Sequence, residues 1–150
     1  MSDTGRILLV EDSAQDVELT LTALGKHNLA NEVVVVRDGE EALDYLYRRG
    51  AFKLRAGGSP VVVLLDIKLP KVDGLEVLQR MRDDEALRQT PVVMLTSSRE
   101  EQDIVKSYSL GVNAYVVKPV DFNDFVAAIC ELGLFWAVLN QPPPPAVQPK

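Results

Sequence analysis

Three carboxylates stand directly behind short apolar runs: Glu11 and Asp12 follow Ile7-Leu8-Leu9-Val10, and Asp66 follows Val61-Val62-Val63-Leu64-Leu65. If those runs are neighbouring strands, the three charges meet at one edge of a sheet. Like charges within a few ångströms raise one another's pKa or demand a cation, and an all-oxygen set suits a hard ion such as Mg²⁺. Two further runs end in complementary chemistry. Val92-Val93-Met94-Leu95 leads into Thr96-Ser97-Ser98, which offers hydroxyls and backbone N–H groups, and Tyr115-Val116-Val117 leads into Lys118-Pro119, which offers an ammonium on a flexible stem. A cation, a hydroxyl and an ammonium around one oxyanion is the arrangement that phosphoryl transfer needs.

These groups converge only if the chain between them alternates correctly. With Val33-Val34-Val35-Val36 there are five such runs, continuous rather than alternating and rich in β-branched residues, the pattern of parallel strands covered on both faces. Helical spacing lies between them, at Val17, Leu21 and Leu24, at Ala42, Leu43 and Leu46, at Leu75, Leu78 and Arg82, and at Ile104, Val105 and Tyr108. Ser13 and Asp16 have the spacing of a capping box, Asp38 precedes a Gly-Glu-Glu first turn, and Asp121 precedes a last helix beginning near Phe122. The expected architecture is α/β, a doubly wound (βα)₅ flavodoxin-like sheet, because right-handed crossovers put helices on both sides. The motifs favour strand order 2-1-3-4-5, and ligands of such sheets bind beyond the carboxyl ends of the strands.

The 150 residues, 47% of them hydrophobic and 25% charged, suit one domain with a real core. A net charge of −6 argues against nucleic acid or anionic lipid as partners. The chain has no apolar run long enough for a membrane span and no basic-then-apolar leader, so a cytoplasmic location is expected. Cys130, the one cysteine, can form no internal disulfide and with His27 cannot complete a zinc site; it reads as a small core residue. We expect residues 1–140 to form the domain, with an extended C-terminal helix, and residues 141–150 to form a proline-rich tail, too short for an output domain.

Taken together, Glu11-Asp12, Asp66 with Pro70 and Asp73-Gly74 after it, Thr96, Tyr115 and Lys118-Pro119 resemble the response-regulator receiver domains (CheY-like) of two-component signalling, over roughly residues 6 to 130. The resemblance implies that Asp66 accepts a phosphoryl group from a histidine kinase. It implies a Mg²⁺ site made of Glu11, Asp12, Asp66 and the backbone carbonyl of Lys68, with Lys118 paired to the phosphoryl oxygens and a cis bond before Pro119. Thr96 and Tyr115 would then turn inward, altering the surface of the fourth helix, fifth strand and fifth helix. Such a protein is a switch and not an enzyme in the turnover sense. Two rivals are a constitutive receiver-like adaptor and a Mg²⁺-dependent phosphohydrolase. The second is disfavoured because Lys68 stands where such enzymes of the haloacid-dehalogenase type carry a second Asp. A nucleotide or flavin binder is weaker still, since no glycine-rich phosphate loop follows the first strand.

Two segments depart from the ordinary pattern. Residues 48–60, with Arg49, Lys53 and Arg55, exceed the usual αβ connection of about 2 to 6 residues; they read as a surface insertion, or alternatively as a basic partner contact. From Phe122 to Leu139 the last turns are apolar all round, and something must cover them. A homodimer through Phe125, Leu134, Phe135, Trp136 and Leu139 is the expected cover. The Leu132-Gly133-Leu134-Phe135-Trp136 pattern and the long loop resemble the stand-alone response regulators that accompany bacterial phytochromes, which implies a bacteriophytochrome kinase as partner.

Overall fold

The computed structural model describes residues 6–25, 32–112, 114–134 and 138. Strands β1 (Ile7–Val10), β2 (Val33–Val36), β3 (Val62–Asp66), β4 (Val92–Thr96) and β5 (Ala114–Val117) alternate with helices α1 (Ala14–Gly25), α2 (Gly39–Tyr47), α3 (Gly74–Asp83), α4 (Arg99–Ser107) and α5 (Phe122–Glu131). All strand pairs are parallel, in the order β2-β1-β3-β4-β5, the doubly wound sheet expected. The continuous apolar runs follow from burial on both faces. Leu8, Val10, Val63, Leu65 and Met94 face a core completed by α2, α3 and Val105 of α4. The alternate residues Ile7, Leu9, Leu64, Val93 and Val116 face one completed by Leu24 of α1 and by Phe125, Ala128 and Ile129 of α5.

Side-chain caps fix where the helices begin. Asp38, Asp73, Ser98 and Asp121 each accept a hydrogen bond from a first-turn N–H, as N-caps do. Asp38 and Ser98 are reinforced by the residue three positions on. Glu41 Oε1 accepts from Arg37 N at 2.8 Å, and Glu101 Oε1 accepts from Ser97 N at 2.7 Å.

Several expectations are corrected. Helix α5 stops at Glu131 and does not run on as an extended helix, because Gly133 (φ 72°) closes it, with Gly133 N donating to Cys130 O and Leu134 N to Ile129 O. Val138 beyond this break is helical and buried. Phe125, offered as a dimer contact, is fully buried within its own chain and has no surface to give a second copy. Leu134 packs against the same core; Phe135, Trp136 and Leu139 lie outside the described residues, as do His27 and residues 141–150. Cys130 is exposed, since Ile129 and Ala128 take the inward face of α5.

The basic loop is built, not loose. Gly50–Phe52 form a 3₁₀ turn, and the arginines fold back onto carbonyls. Arg55 Nε donates to Tyr45 O at 2.7 Å and its Nη1 to Gly58 O at 3.1 Å, while its guanidinium lies 4.0 Å from the Tyr45 ring centroid. Arg48 donates to Arg55 O and Gly57 O, and Arg6 Nη1 donates to Ala56 O. These donors satisfy carbonyls through the turn and add a second bond at Tyr45 O, which already accepts from Arg48 N.

Candidate functional site

The strand order puts β1 and β3 side by side, with Val10 opposite Leu65 and Leu9 opposite Leu64. Glu11 and Asp66 therefore emerge at the same edge. Strand β3 reaches one residue further than its apolar run, so Asp66 is itself a ladder residue, paired with Leu95, and β4 likewise ends in Thr96. Glu11 is wholly buried, Asp66 and Thr96 are buried, and Asp12 is exposed. Carboxylate oxygens of Glu11, Asp12 and Asp66 come within 4.8 Å of one another. Oxygens of that number, charge and spacing fit a hard divalent cation bound through few protein ligands.

Lys118 supplies the opposing charge. The ladder between β4 and β5 continues past their ends, with Lys118 N donating to Thr96 O at 2.8 Å, and the Lys118–Pro119 bond is cis. From there the ammonium reaches Asp66 Oδ2 at 3.1 Å, Glu11 Oε1 at 3.2 Å and Asp16 Oδ2 at 3.3 Å. Burial is the largest influence on the Glu11 carboxyl and, with the Asp66 charge beside it, pushes it up to about 7, against the weaker pull of Lys118 and the Ser13 N–H. Burial also raises Asp66, although Lys118 opposes it. Lys118 loses some stabilisation through burial, but Asp66 and Glu11 more than offset it and hold the ammonium charged well above its ordinary range.

Thr96 differs from the rest. Its Oγ1 is buried with no hydrogen-bond partner, the one such side-chain atom among the described residues. A buried unmatched hydroxyl costs about 1–3 kcal/mol, so the site holds a donor waiting for an acceptor. Tyr115 is half-buried on β5, its hydroxyl donating to Val112 O at 3.3 Å and its ring 5.4 Å from the Lys106 ammonium. The Lys68 side chain points outward, 82% exposed and 3.7 Å from Glu101 Oε2. Burial disfavours charge on Glu101, yet the hydrogen bonds from Ser97 and the charges of Lys68 and Lys118 together outweigh it and hold the carboxyl below its usual range.

Two glycines set the loop that carries Asp66 and Lys68. A Cβ at Gly74 would stand 2.1 Å from Asp66 O, and one at Gly39 would stand 1.8 Å from Val72 O. Only hydrogen fits at either approach. Lys71, at φ 68°, then lies 3.8 Å from Asp38 and 3.7 Å from Glu40.

Asp16 is the residue that sequence reasoning missed. It read as half of a capping box, and Ser13 Oγ does accept from Asp16 N at 3.2 Å. The return bond is absent because Ser13 N donates to Glu11 Oε2 at 3.2 Å, which leaves the Asp16 carboxylate for Lys118. The available signal was Glu11 itself, an acceptor two residues before Ser13.

The model of the response regulator receiver domain family matches residues 7–130. The structure of the bacteriophytochrome response regulator AtBRR is 66% identical, with a TM-score of 0.88 over 93% of this chain and 100% of that one. That of the bacteriophytochrome response regulator RtBRR is 67% identical, with a TM-score of 0.85 over 93% of this chain and 84% of that one. Response regulator Rcp1 of Synechocystis is 37% identical over 87% of each chain. The structure of its Mn²⁺-bound form has a TM-score of 0.71 over 95% of this chain and 99% of that one. Among the described residues no helix is long and apolar enough to cross a membrane.

Proposed function

The chain is a member of the response regulator receiver domain family, and on that premise we propose that it is a cytoplasmic phosphoacceptor switch whose acceptor is Asp66. An Asp66 carboxylate oxygen attacks the phosphorus of a kinase phosphohistidine. The O–P bond forms as the P–N bond breaks, and the imidazole nitrogen leaves with the electron pair and takes up a proton. Water later cleaves the acyl phosphate, returning the carboxylate and inorganic phosphate. Glu11, Asp12, Asp66 and the Lys68 carbonyl would hold Mg²⁺, which when bound supplies charge stabilisation to the transferring phosphoryl oxygens; the Mn²⁺-bound form of Rcp1 supports a divalent ion in this fold.

The observation that carries the reading is the unpartnered, buried Thr96 hydroxyl at the strand end beside Asp66. A phosphoryl group brings three acceptor oxygens and a second negative charge. Thr96 Oγ1 gains the bond it lacks, Lys118 exchanges a carboxylate partner for a phosphoryl oxygen, and the new Thr96 bond contributes about 1–3 kcal/mol toward a second conformation. Tyr115 follows on the neighbouring strand, changing the face made by α4, β5 and α5. That face already exposes Ile104, Tyr108 and Val117 and would be read by a protein target.

Identities of 66% and 67% to two bacteriophytochrome response regulators support a bacteriophytochrome as the kinase. A homodimer belongs to the same reading. It would use the α4–β5–α5 face or the segment after Gly133, where Leu134 remains the described candidate and Phe125 does not.

The test is intact mass after incubation with Mg²⁺ and acetyl phosphate, for wild type and Asp66→Asn together. One acid- and base-labile phosphoryl group on the wild type alone is expected. No adduct on the wild type, or one that persists in Asp66→Asn, overturns the assignment.

A further inference from the structure

An ammonium has three donors and no acceptor, and at Lys118 three carboxylates are within reach of it. Two of these, Asp66 and Glu11, belong to the acceptor and cation cluster. The third, Asp16, comes from the first turn of α1, and the chemistry described so far gives it no task. Its placement is specific. Ser13 Oγ fixes its backbone N–H, and the bond from Ser13 N to Glu11 removes the local competitor for its carboxylate. Among the three partners Asp16 is the one at the mouth, with its side chain 31% exposed against 1% for Glu11 and 7% for Asp66.

We propose that Asp16 is a positioning residue for phosphoryl transfer, holding Lys118 while Asp66 is free and releasing it when Asp66 carries a phosphoryl group. This rests on the reading of Asp66 as the phosphoacceptor. Phosphorylation turns the Asp66 carboxylate that Lys118 holds into an acyl phosphate, so that donor passes to a phosphoryl oxygen, and a second bond from Lys118 to the phosphoryl group requires one of the two remaining carboxylates to be given up. The Asp16 carboxylate can take water in exchange, whereas the Glu11 carboxylate, sealed from solvent, cannot. Asp16 is therefore a competitor for Lys118, and transfer must first overcome it.

The expected consequence is an increase in rate. Asp16→Asn keeps the shape and removes the charge, and phosphorylation should run about two- to fivefold faster, the factor appropriate to a partly exposed ion pair. Asp16→Ala should behave alike. Rates are measured by intact mass over time in Mg²⁺ with two donors, the more anionic acetyl phosphate and the less anionic phosphoramidate. Competition for Lys118 raises both rates by the same factor. Equal or slower rates in both variants overturn the proposal, and so does a gain confined to acetyl phosphate, which would report repulsion of the donor instead. No adduct on wild type with either donor would instead remove the Asp66 reading, and this proposal with it.

Discussion

The Glu11 carboxyl, fully buried and raised to about 7 by burial and then by Asp66, should make cation binding at this cluster a proton-releasing event. A divalent ion takes the carboxylate form, so its apparent affinity follows the ionised fraction. For a group near 7 that fraction falls from about nine-tenths at roughly pH 8 to about one-tenth at roughly pH 6, a loss of about tenfold, or about 1.4 kcal/mol. Titration calorimetry of Mg²⁺ into the metal-free protein, in two buffers of different protonation enthalpy, reads both affinity and protons. Near pH 6 about one proton per ion should be released, and near pH 8 almost none. Glu11→Gln should bind more weakly and lose the pH dependence. The metal-free protein carries the matching sign in its stability. Between the ordinary 4.5 and about 7 the folded state holds more protons than the unfolded one, so stability falls as pH rises through that window. An affinity flat from about pH 6 to about pH 8, with no proton released at the lower end, refutes this reasoning.

Thr96→Val should stabilise the unphosphorylated protein by about 1 kcal/mol, because it deletes an unmatched buried hydroxyl at constant shape, while partner binding stops responding to phosphate; a lower urea midpoint than wild type would contradict it. Gly39→Ala puts a methyl 1.8 Å from Val72 O, and the overpacking should cost about 1–3 kcal/mol and weaken Mg²⁺ binding by displacing the loop that carries Lys68; an unchanged midpoint and an unchanged Mg²⁺ affinity would exclude the clamp. Arg55→Ala loses bonds to Tyr45 O and Gly58 O and the stacking on Tyr45, which should cost about 1–3 kcal/mol without slowing phosphorylation; a slower rate at equal stability would show that the loop serves the site.

The sheet was legible because five continuous β-branched runs leave little choice but parallel strands, and the strand-end residues marked one edge. Boundaries moved where a polar residue is still a ladder residue. Asp66 and Thr96 belong to β3 and β4 because both faces stay buried up to the strand end. Helical spacing located the helices but overstated their inward faces, since Leu21, Ile104 and Tyr108 are exposed and Leu24 and Val105 do the packing. The bonding within the basic loop was not legible: its guanidiniums reach turn carbonyls, and composition cannot show that. Asp16 was hidden by a local pattern whose second half another carboxylate had already taken.

If Asp66 is phosphorylated as proposed, the distribution of restraints around it would decide where the signal can go. On one side the loop after β3 is fastened. Gly74 N donates to Ile67 O at 2.8 Å, Gly39 N donates to Pro70 O at 3.3 Å, Val72 O fills the place of a Gly39 side chain, and Lys71 reaches the capping Asp38 and Glu40 of α2. Helices α2 and α3 each bury four or more residues behind it. On the other side stand Thr96, with its free hydroxyl, and α4, which buries Val105 alone. The cheapest motions belong to elements with few buried apolar contacts. A phosphoryl group that pulls Thr96 inward by one bond of about 1–3 kcal/mol cannot shift the clamped side, but it is comparable to what a single buried valine contributes to holding α4. If Asp66 is the phosphoacceptor proposed above, movement would be channelled to α4, and the exposed Ile104 and Tyr108 lie on or directly after that helix, with Val117 on the neighbouring β5.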